Sequence, residues 1–404
     1  MGEKAASLSS LIKGIRVRRQ VSVLKATPVV IGVAVSVLLG CAGPSTSGIW
    51  TTGGGSTALW KLVGPAGLGM PSYVATASIA VDHGTGALYA AFEDSGTSGF
   101  GTVVKFAGGA WNYVGSRGFT GAVAGSMKIA VATDGTVYVA FATPPTADGL
   151  NVMSYTSANG WQQVGSANFD TIENWQGISL ALDRNNVPYV AFVSSSQVVK
   201  VDRYTAGSWT PVGSPSLFQA GATTPSLAID SAGNPWVAYE DGGAGNWASV
   251  LRFDGSSWSY VAPPPAGPGA ASTGSVAATS LALNAADQPY LACWDGGYGG
   301  LATVKTFVSG TWINVGNPGF SAGNPYGISM ELSPGGVPLV AYQDGASGDA
   351  TVMTFTGTIW AALGRANLAG VQVQNTALAL DAAGTPYIVF TDQASGLPSV
   401  MTYQ

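Results

Sequence analysis

Short apolar segments recur in the same order from Trp60 to the last residue, Gln404. Each period contains a segment such as "SLALD" or "SLAID", then one such as "PYVAF" or "PWVAY", then a third that ends in an aromatic residue. A fourth begins at Trp, as in "WNYVG", "WQQVG" and "WTPVG". The first two segments are apolar at consecutive positions, which is typical of strands covered on both faces. The pattern predicts repeated four-stranded antiparallel sheets joined by Gly-, Asn- and Asp-containing turns.

The tryptophans that open the fourth segment measure the period. Successive pairs are 48 to 54 residues apart, and the residues are Trp60, Trp111, Trp161, Trp209, Trp258, Trp312 and Trp360. A period near 50 residues with β-type content is typical of propeller blades.

The order of the segments at the two ends predicts how the ring closes. The chain starts with a fourth segment, "ALWKLVG", and stops one residue after the aromatic Tyr403, which ends a third segment. The N-terminal strand therefore completes the last blade, the "Velcro" closure of propellers. We predict an all-β, seven-bladed β-propeller of four-stranded antiparallel blades over residues 57–404, after a flexible linker at 41–56.

Aromatic residues recur at two further places in the period. The aromatic that ends the third strand is predicted to pair with the Trp across a tight turn. A phenylalanine just after the "VG" is predicted to wedge between blades, at Phe119, Phe169, Phe218 and Phe320.

The first 40 residues have a different pattern. A basic region precedes the apolar run Pro28–Gly40, which is too short to span a bilayer and fits the apolar core of an export signal. The run ends in "LLGC", which resembles the lipobox of bacterial lipoproteins. That resemblance implies a signal peptide over 1–40 and lipid attachment at Cys41; a plain secretory signal is the alternative. We expect an exported protein, lipid-anchored to a bacterial membrane and facing the periplasm or the cell surface.

Charge and cysteine content restrict the partners. Six of the 16 basic residues and one of the 21 acidic residues precede Cys41, so the remainder carries 10 basic and 20 acidic residues, a formal charge of −10. A basic stripe for nucleic acid is absent from the sequence. With Cys41 lipidated, Cys293 has no partner for an intramolecular disulfide. We expect a monomer that contacts membrane through the lipid anchor only.

The repeat resembles known propeller families. "VAYEDGG…RFDGSSW" in the fourth blade resembles the Kelch repeat in part, and "SLALD-x-x-G-x-PYVAF-x-D" followed by "W-x-x-VG" is similar to repeats of exported bacterial propeller proteins. The resemblance implies the fold and says little about chemistry.

Acidic residues end the second strand in five blades. They are Asp94, Asp241, Asp295, Asp344 and Asp392, with Thr143 and Ser194 in the same position elsewhere. Asp, Ser and Thr share the ability to bond the backbone of their own turn, so we interpret them as turn caps. A carboxylate ring is also a candidate calcium site; otherwise no cofactor is expected. The single histidine, His83, lies in a turn, and Cys293 occupies a buried strand position.

The longer loops are predicted to share one face of the propeller, here called the top face, and they carry aromatic residues suited to stacking on sugar rings. The candidate ligand contacts are Phe100, Trp175, Trp247, Tyr298 and Tyr326, with Asp241 at the rim. For Trp247, recurrence of Phe or Leu in the same position favours packing at the start of the third strand. We predict a non-enzymatic binding propeller whose ligand is a glycan or an envelope protein. The alternative is a glycan-active hydrolase or lyase that uses Asp170, Glu173 or Asp241.

Overall fold

The computed structural model describes residues 59–70, 72–143, 149–172, 177–214, 221–262 and 270–404. These residues belong to one compact unit, Ser56–Gln404. They form seven four-stranded antiparallel sheets, so the predicted all-β, seven-bladed propeller is confirmed. The predicted signal peptide and Cys41 lie outside the described residues. Among the described helices, none is long and apolar enough to cross a membrane.

The strands fall into four sets by their place in the blade. The innermost strands, called A, are β2 (Val74–Val81), β6 (Gly125–Val131), β10 (Ile178–Leu182), β14 (Thr223–Ile229), β18 (Val276–Leu283), β22 (Pro325–Leu332) and β26 (Val373–Leu380). The B strands are β3 (Leu88–Asp94), β7 (Val137–Thr143), β11 (Pro188–Val193), β15 (Pro235–Asp241), β19 (Pro289–Asp295), β23 (Pro338–Asp344) and β27 (Pro386–Asp392). The C strands are β4 (Phe100–Ala107), β8 (Gly149–Thr156), β12 (Val199–Thr205), β16 (Trp247–Phe253), β20 (Leu301–Val308), β24 (Ala350–Phe355) and β28 (Pro398–Tyr403). The outermost D strands are β5 (Ala110–Tyr113), β9 (Gly160–Gln163), β13 (Ser208–Pro211), β17 (Trp258–Tyr260), β21 (Thr311–Asn314), β25 (Trp360–Ala362) and β1 (Trp60–Leu62). Short 3-10 turns lie at Ala66–Gly69, Ser95–Thr97, Gly242–Ala244 and Gly296–Tyr298.

The blades are numbered 1 to 7 in the chain order of their A strands. The A strands contact one another in a closed circle, β2 to β6 and onward to β26, which returns to β2. Blade 7 is completed by β1, which pairs antiparallel with β28 and places Trp60 opposite Tyr403. The predicted closure is therefore confirmed, because β1 covers the outer edge of β28.

The "W-x-x-VG" motif joins neighbouring blades. The indole Nε1–H of Trp111 in blade 1 donates to the carbonyl oxygen of Val63 in blade 7 at 2.8 Å, and Trp161 donates to Val114 of blade 1 in the same way. Trp60 of blade 7 donates to Leu363 of blade 6 at 2.7 Å, so the closing strand makes the same contact. In the described part of the chain, six of the seven motif tryptophans thus donate their indole N–H to the preceding blade.

The glycine of the motif is required by its backbone conformation and by the Trp ring beside it. Gly64 has φ +75°, and a Cβ there would lie 2.9 Å from the ring of Phe106 and 3.2 Å from Trp111. Gly115 repeats this arrangement with φ +67° against Trp161. Only glycine combines a left-handed conformation with so close an approach.

The recurring aromatic residues pack as predicted from the sequence. Phe119 stacks on Trp161 of the next blade with ring centroids 3.7 Å apart, and Phe169 stacks on Trp209 at 4.6 Å. Phe320 stacks on Trp360 at 4.2 Å, whereas Phe218 lies outside the described residues. Within each D hairpin the aromatic pairs with the Trp, but the rings are tilted near 50° and do not stack face to face.

Acids that follow the A strands close the turns between A and B. The Oδ1 atom of Asp82 accepts the N–H of Gly84 at 2.9 Å, and that of Asp230 accepts the N–H of Asn234 at 2.8 Å. Asp381 accepts the N–H groups of Ala383 and Thr385. These Asx turns form the bottom face of the propeller.

Candidate functional site

The top face consists of the loops from B to C and from D to the next A strand. Most of the carboxylates that end the B strands bond the backbone of their own loop, which confirms the turn-cap interpretation. Asp94 accepts the N–H of Gly96, Asp295 that of Gly297, and Asp344 that of Ala346, at 2.8 to 3.0 Å. Asp392 accepts the N–H of Ala394 at 2.8 Å.

Asp241 is the exception within this set because its carboxylate does not cap the backbone of its own loop, and like Asp94 and Asp295 it is completely buried. Its carboxylate accepts a hydrogen bond from the Ser249 hydroxyl at 2.7 Å, and its Oδ1 atom has no partner among the described residues. A side chain without exposed surface cannot contact a ligand at the rim, so the predicted role of Asp241 there needs correction. The sequence pattern showed its position in the loop but not its depth.

Phe100 and Trp247 occupy equivalent positions as the first residues of their C strands. Phe100 pairs with Asp94 and forms an isolated bridge to Val123, and Trp247 pairs with Asp241 and bridges Ser275. Both are half-buried. The packing interpretation of Trp247 is therefore the better one, and Phe100 shares it.

Tyr298 and Asp170 are each held by a neighbouring side chain. The phenol oxygen of Tyr298 accepts a hydrogen bond from the Asn314 amide on the outermost strand, at 3.1 Å. Asp170 forms an ion pair with Lys200 at 2.8 Å. Trp175 and Glu173 lie outside the described residues.

Both arginines of the top-face loops are also engaged. Arg117 donates to both carboxylate oxygens of Asp94, at 2.6 and 2.9 Å, and to the Ser72 hydroxyl. Burial opposes the ionisation of Asp94, but these hydrogen bonds outweigh it and hold the pKa of Asp94 below its ordinary value. Arg365 in turn donates to the carbonyl oxygen of Leu368. Each arginine therefore fixes a loop within its own part of the face.

One candidate, Tyr326, lies at the inner edge of the top face and is 56% exposed. It is near the start of β22 in blade 6, opposite Gln343 of the B strand. Gln374 holds the same register position in blade 7, opposite Thr391. The Gln374 amide donates to the phenol oxygen of Tyr73, just before β2 of blade 1, at 3.4 Å.

Tyr326, Gln374 and Tyr73 therefore come from three consecutive blades of the closed ring. We call this set the tyrosine rim. Tyr73 is 48% exposed, and no feature of its loop singled it out in the sequence. Alignment of "PSYVATASIAV" with "GNPYGISMEL" would have shown that both tyrosines immediately precede or begin an A strand.

Glycines in the B–C loops lie beneath both tyrosine rings. A Cβ on Gly396 would lie 2.0 Å from the ring of Tyr73, and one on Gly345 would lie 3.2 Å from the ring of Tyr326. Each ring therefore lies close to backbone while much of its surface remains open to solvent. A ring supported on one side and exposed on the other is suited to stacking with a flat apolar ligand surface.

In the described part of the chain, no group of three or more His, Cys, Asp or Glu side chains is arranged to hold a metal ion. Cys293 is fully buried, as predicted, and burial raises the pKa of its thiol. It is not placed to act as a nucleophile.

One buried carboxyl departs from the repeat. Asp202 on β12 is 4% exposed, and burial together with the nearby Asp170 raises its pKa to about 6. It lies opposite Pro211, a register position filled by Val104 in blade 1 and by Met153 in blade 2. Asp202 is therefore an acid in an apolar position between blades.

Comparison with known proteins gives no family. No protein-family model and no curated protein matches the chain. Among solved structures, an ulvan lyase is 12% identical over 82% of this chain and 93% of its own, with a TM-score of 0.49. A lectin of Aleuria aurantia is 15% identical over 74% of this chain and 98% of its own, with a TM-score of 0.46. A protein of unknown function from Dyadobacter fermentans is 12% identical over 70% and 94%, with a TM-score of 0.47.

Sequence identities and TM-scores this low do not indicate what the chain binds. The seven-bladed fold follows from the strand pairing, and the Kelch-like resemblance stays a prediction.

Proposed function

We propose that this chain is an exported, lipid-anchored propeller that binds a glycan at the tyrosine rim without transforming it. The observation that carries the proposal is the juxtaposition of Tyr326, Gln374 and Tyr73 on three consecutive blades. Exposed aromatic faces stack on the apolar side of a sugar ring, while an amide bonds its hydroxyl groups. The rim combines both kinds of group within one small area.

The charge balance is compatible with this ligand. The chain after residue 40 has a formal charge of −10, so a neutral or weakly charged polysaccharide meets less repulsion than an anionic one. The hydrolase or lyase alternative has less support among the described residues. Asp241 is buried, and Asp170 is engaged with Lys200.

A glycan array probed with the exported part of the chain tests the binding proposal. We expect retention of a defined set of oligosaccharides, and Tyr326→Ala should weaken it about tenfold, which is ~1.4 kcal/mol. Ile313→Ala is the control, because Ile313 is 45% exposed on the outermost strand of blade 5, which carries no residue of the rim. Turnover of a retained oligosaccharide would contradict the non-enzymatic part. If the wild type binds no glycan but binds a protein, and Tyr326→Ala abolishes that binding, the ligand of the rim is a protein and not a glycan.

The anchor is tested separately by fractionation of cells that carry the full chain. The wild type should be found with membranes, and Cys41→Ser should release it in soluble exported form, because the thiol is the proposed attachment point. Equal membrane association of both forms would contradict the anchor while leaving the glycan proposal intact.

A further inference from the structure

The A strands enclose a central channel, and one residue there departs from the repeat. One position of the A strand lies opposite the second residue of the B strand, Tyr or Trp in six blades. In those six blades the A-strand residue is alanine: Ala80, Ala130, Ala181, Ala228, Ala282 and Ala379. Blade 6 carries Glu331 instead, opposite Leu339. A carboxylate thus replaces a methyl group on the channel wall.

A cavity of 640 Å³ lies in this part of the channel. Its lining includes the aliphatic side chains of Ile79, Ile129, Val131, Leu332 and Leu380, together with polar surface to which Glu331 contributes. His83 and Asp381 also line it, and they belong to turns of the bottom face. The volume lies within the range of small-molecule sites, roughly 300–1,000 Å³.

The Glu331 carboxylate has no hydrogen bond and no ion pair within the part of the chain that the structure describes. Burial raises the pKa of Glu331 to about 7. Buried charges in proteins are ordinarily paired, because an unpaired one loses hydration without compensation. Glu331 is only half-buried, so its carboxylate is open to the channel, and a cationic group of a ligand entering there would supply the partner that the described residues do not.

A second departure in the same channel has the opposite charge. Two residues before the alanine position, five A strands carry serines whose hydroxyls accept an N–H from the next A strand, such as Ser78 from Ile129 and Ser226 from Leu281. Blade 2 carries Lys128 there. Its side chain is exposed although it lies midway along an innermost strand, so we infer that the exposed surface faces the channel; Lys128 lies beyond the residues that line the cavity.

Lys128 and Glu331 do not neutralise each other. No ion pair joins them, and each lacks a side-chain partner among the described residues. They lie on blades 2 and 6, on opposite sides of the ring. Their positions along the A strand differ by two residues, which corresponds to about 6.6 Å along the channel. Lys128 lies inside the ring of blades, and this partial desolvation lowers the pKa of its ammonium group although its side chain is open to the channel.

We propose that the channel binds a small aliphatic zwitterion, with its ammonium group on Glu331 and its carboxylate on Lys128. The hydrocarbon part of such an ω-amino acid would lie against the aliphatic walls. A ligand with only one charge would leave the other protein group unpaired, so the two groups together select both ends. The channel site is separate from the tyrosine rim and from the glycan proposed there.

The chain supplies its own matched variants for the test. Glu331→Ala and Lys128→Ser restore the residues that the other blades carry, so both variants should fold with unchanged or higher melting temperatures. Lys61→Ser, on the outermost strand β1, is the control for loss of a lysine elsewhere. The probes are ε-aminocaproate, hexylamine and caproate, titrated calorimetrically into the exported part of the chain.

The wild type and Lys61→Ser should bind ε-aminocaproate at least tenfold more tightly than either singly charged probe. Glu331→Ala should abolish the advantage over caproate, and Lys128→Ser should abolish the advantage over hexylamine. Failure of ε-aminocaproate to bind the wild type at millimolar concentration would overturn the proposal. So would equal binding by the wild type and either channel variant. Neither result would affect glycan retention at the rim.

Discussion

Asp202 illustrates how a single residue can act against the repeat that contains it. It occupies an apolar position between blades 2 and 3, near Asp170 and Lys200, and its Oδ1 atom has no partner among the described residues. The unfolded chain loses the proton of an aspartic acid near pH 4, whereas the folded chain holds it to about pH 6. Stability is therefore fully present below pH 4 and is lost as the pH rises to about 6.

Asp202→Met, which introduces the residue of blade 2, should stabilise the protein at pH 8 by about 2–3 kcal/mol, because the ionised carboxyl is removed. At pH 4 the gain should be much smaller, since Asp202 is then protonated in the folded state. Thermal unfolding at the two pH values provides the measurement. An equal gain at both would show that packing, not ionisation, is responsible.

The residues that join neighbouring blades could be predicted from the sequence, and those of the candidate site could be predicted only in part. Trp111 and Phe119 recur at fixed spacing, so the period itself indicated their packing. Tyr73 has no tyrosine counterpart at its own position in the other blades, and three counterparts of Asp241 are also buried but bond the backbone of their own loops. A repeating sequence pattern identifies residues that have the same structural role in every blade. The residues of a binding site differ between blades, so the pattern does not identify them.

At the level of the strand, β1 joins two parts of the chain that are far apart in sequence. It pairs with β28, and its Trp60 donates to Leu363 of blade 6. Three residues of strand thus provide both the missing edge of blade 7 and one of the recurring contacts between blades. Without them, blade 7 would expose the outer edge of β28.

Deletion of Thr57–Gly64 should therefore lower the melting temperature steeply. The smaller change Trp60→Phe keeps an aromatic ring but removes the indole N–H and part of the packed ring surface, and we expect it to cost at least about 1 kcal/mol. Lys61→Ala, at an exposed position of the same strand, serves as the control. Calorimetry of the three variants provides the test, and an unchanged melt of the deletion variant would contradict the closure.

At the scale of the whole molecule, the seven blades share the residues that hold the ring together and differ in the residues that could bind a ligand. The A–B turns and the Trp contacts repeat from blade to blade, and the A strands form a closed circle. Apart from Asp202, which is buried between blades 2 and 3, the departures described above fall where such a ring leaves open space, at the top face and in the channel. Glu331 and Lys128 could not be recognised from sequence as candidate ligand contacts. The sequence shows a charged residue in an apolar strand, but only the structure shows that this strand lines a channel.

The central claim is that the tyrosine rim contacts the glycan. The most direct measurement is a calorimetric titration of the best-retained oligosaccharide into the wild type, the double variant Tyr73→Ala/Tyr326→Ala and the control Ile313→Ala. We predict roughly hundredfold weaker binding by the double variant, ~2.7 kcal/mol, with an unchanged melting temperature and an unaffected control. Equal affinity of the double variant and the wild type would contradict the proposed site.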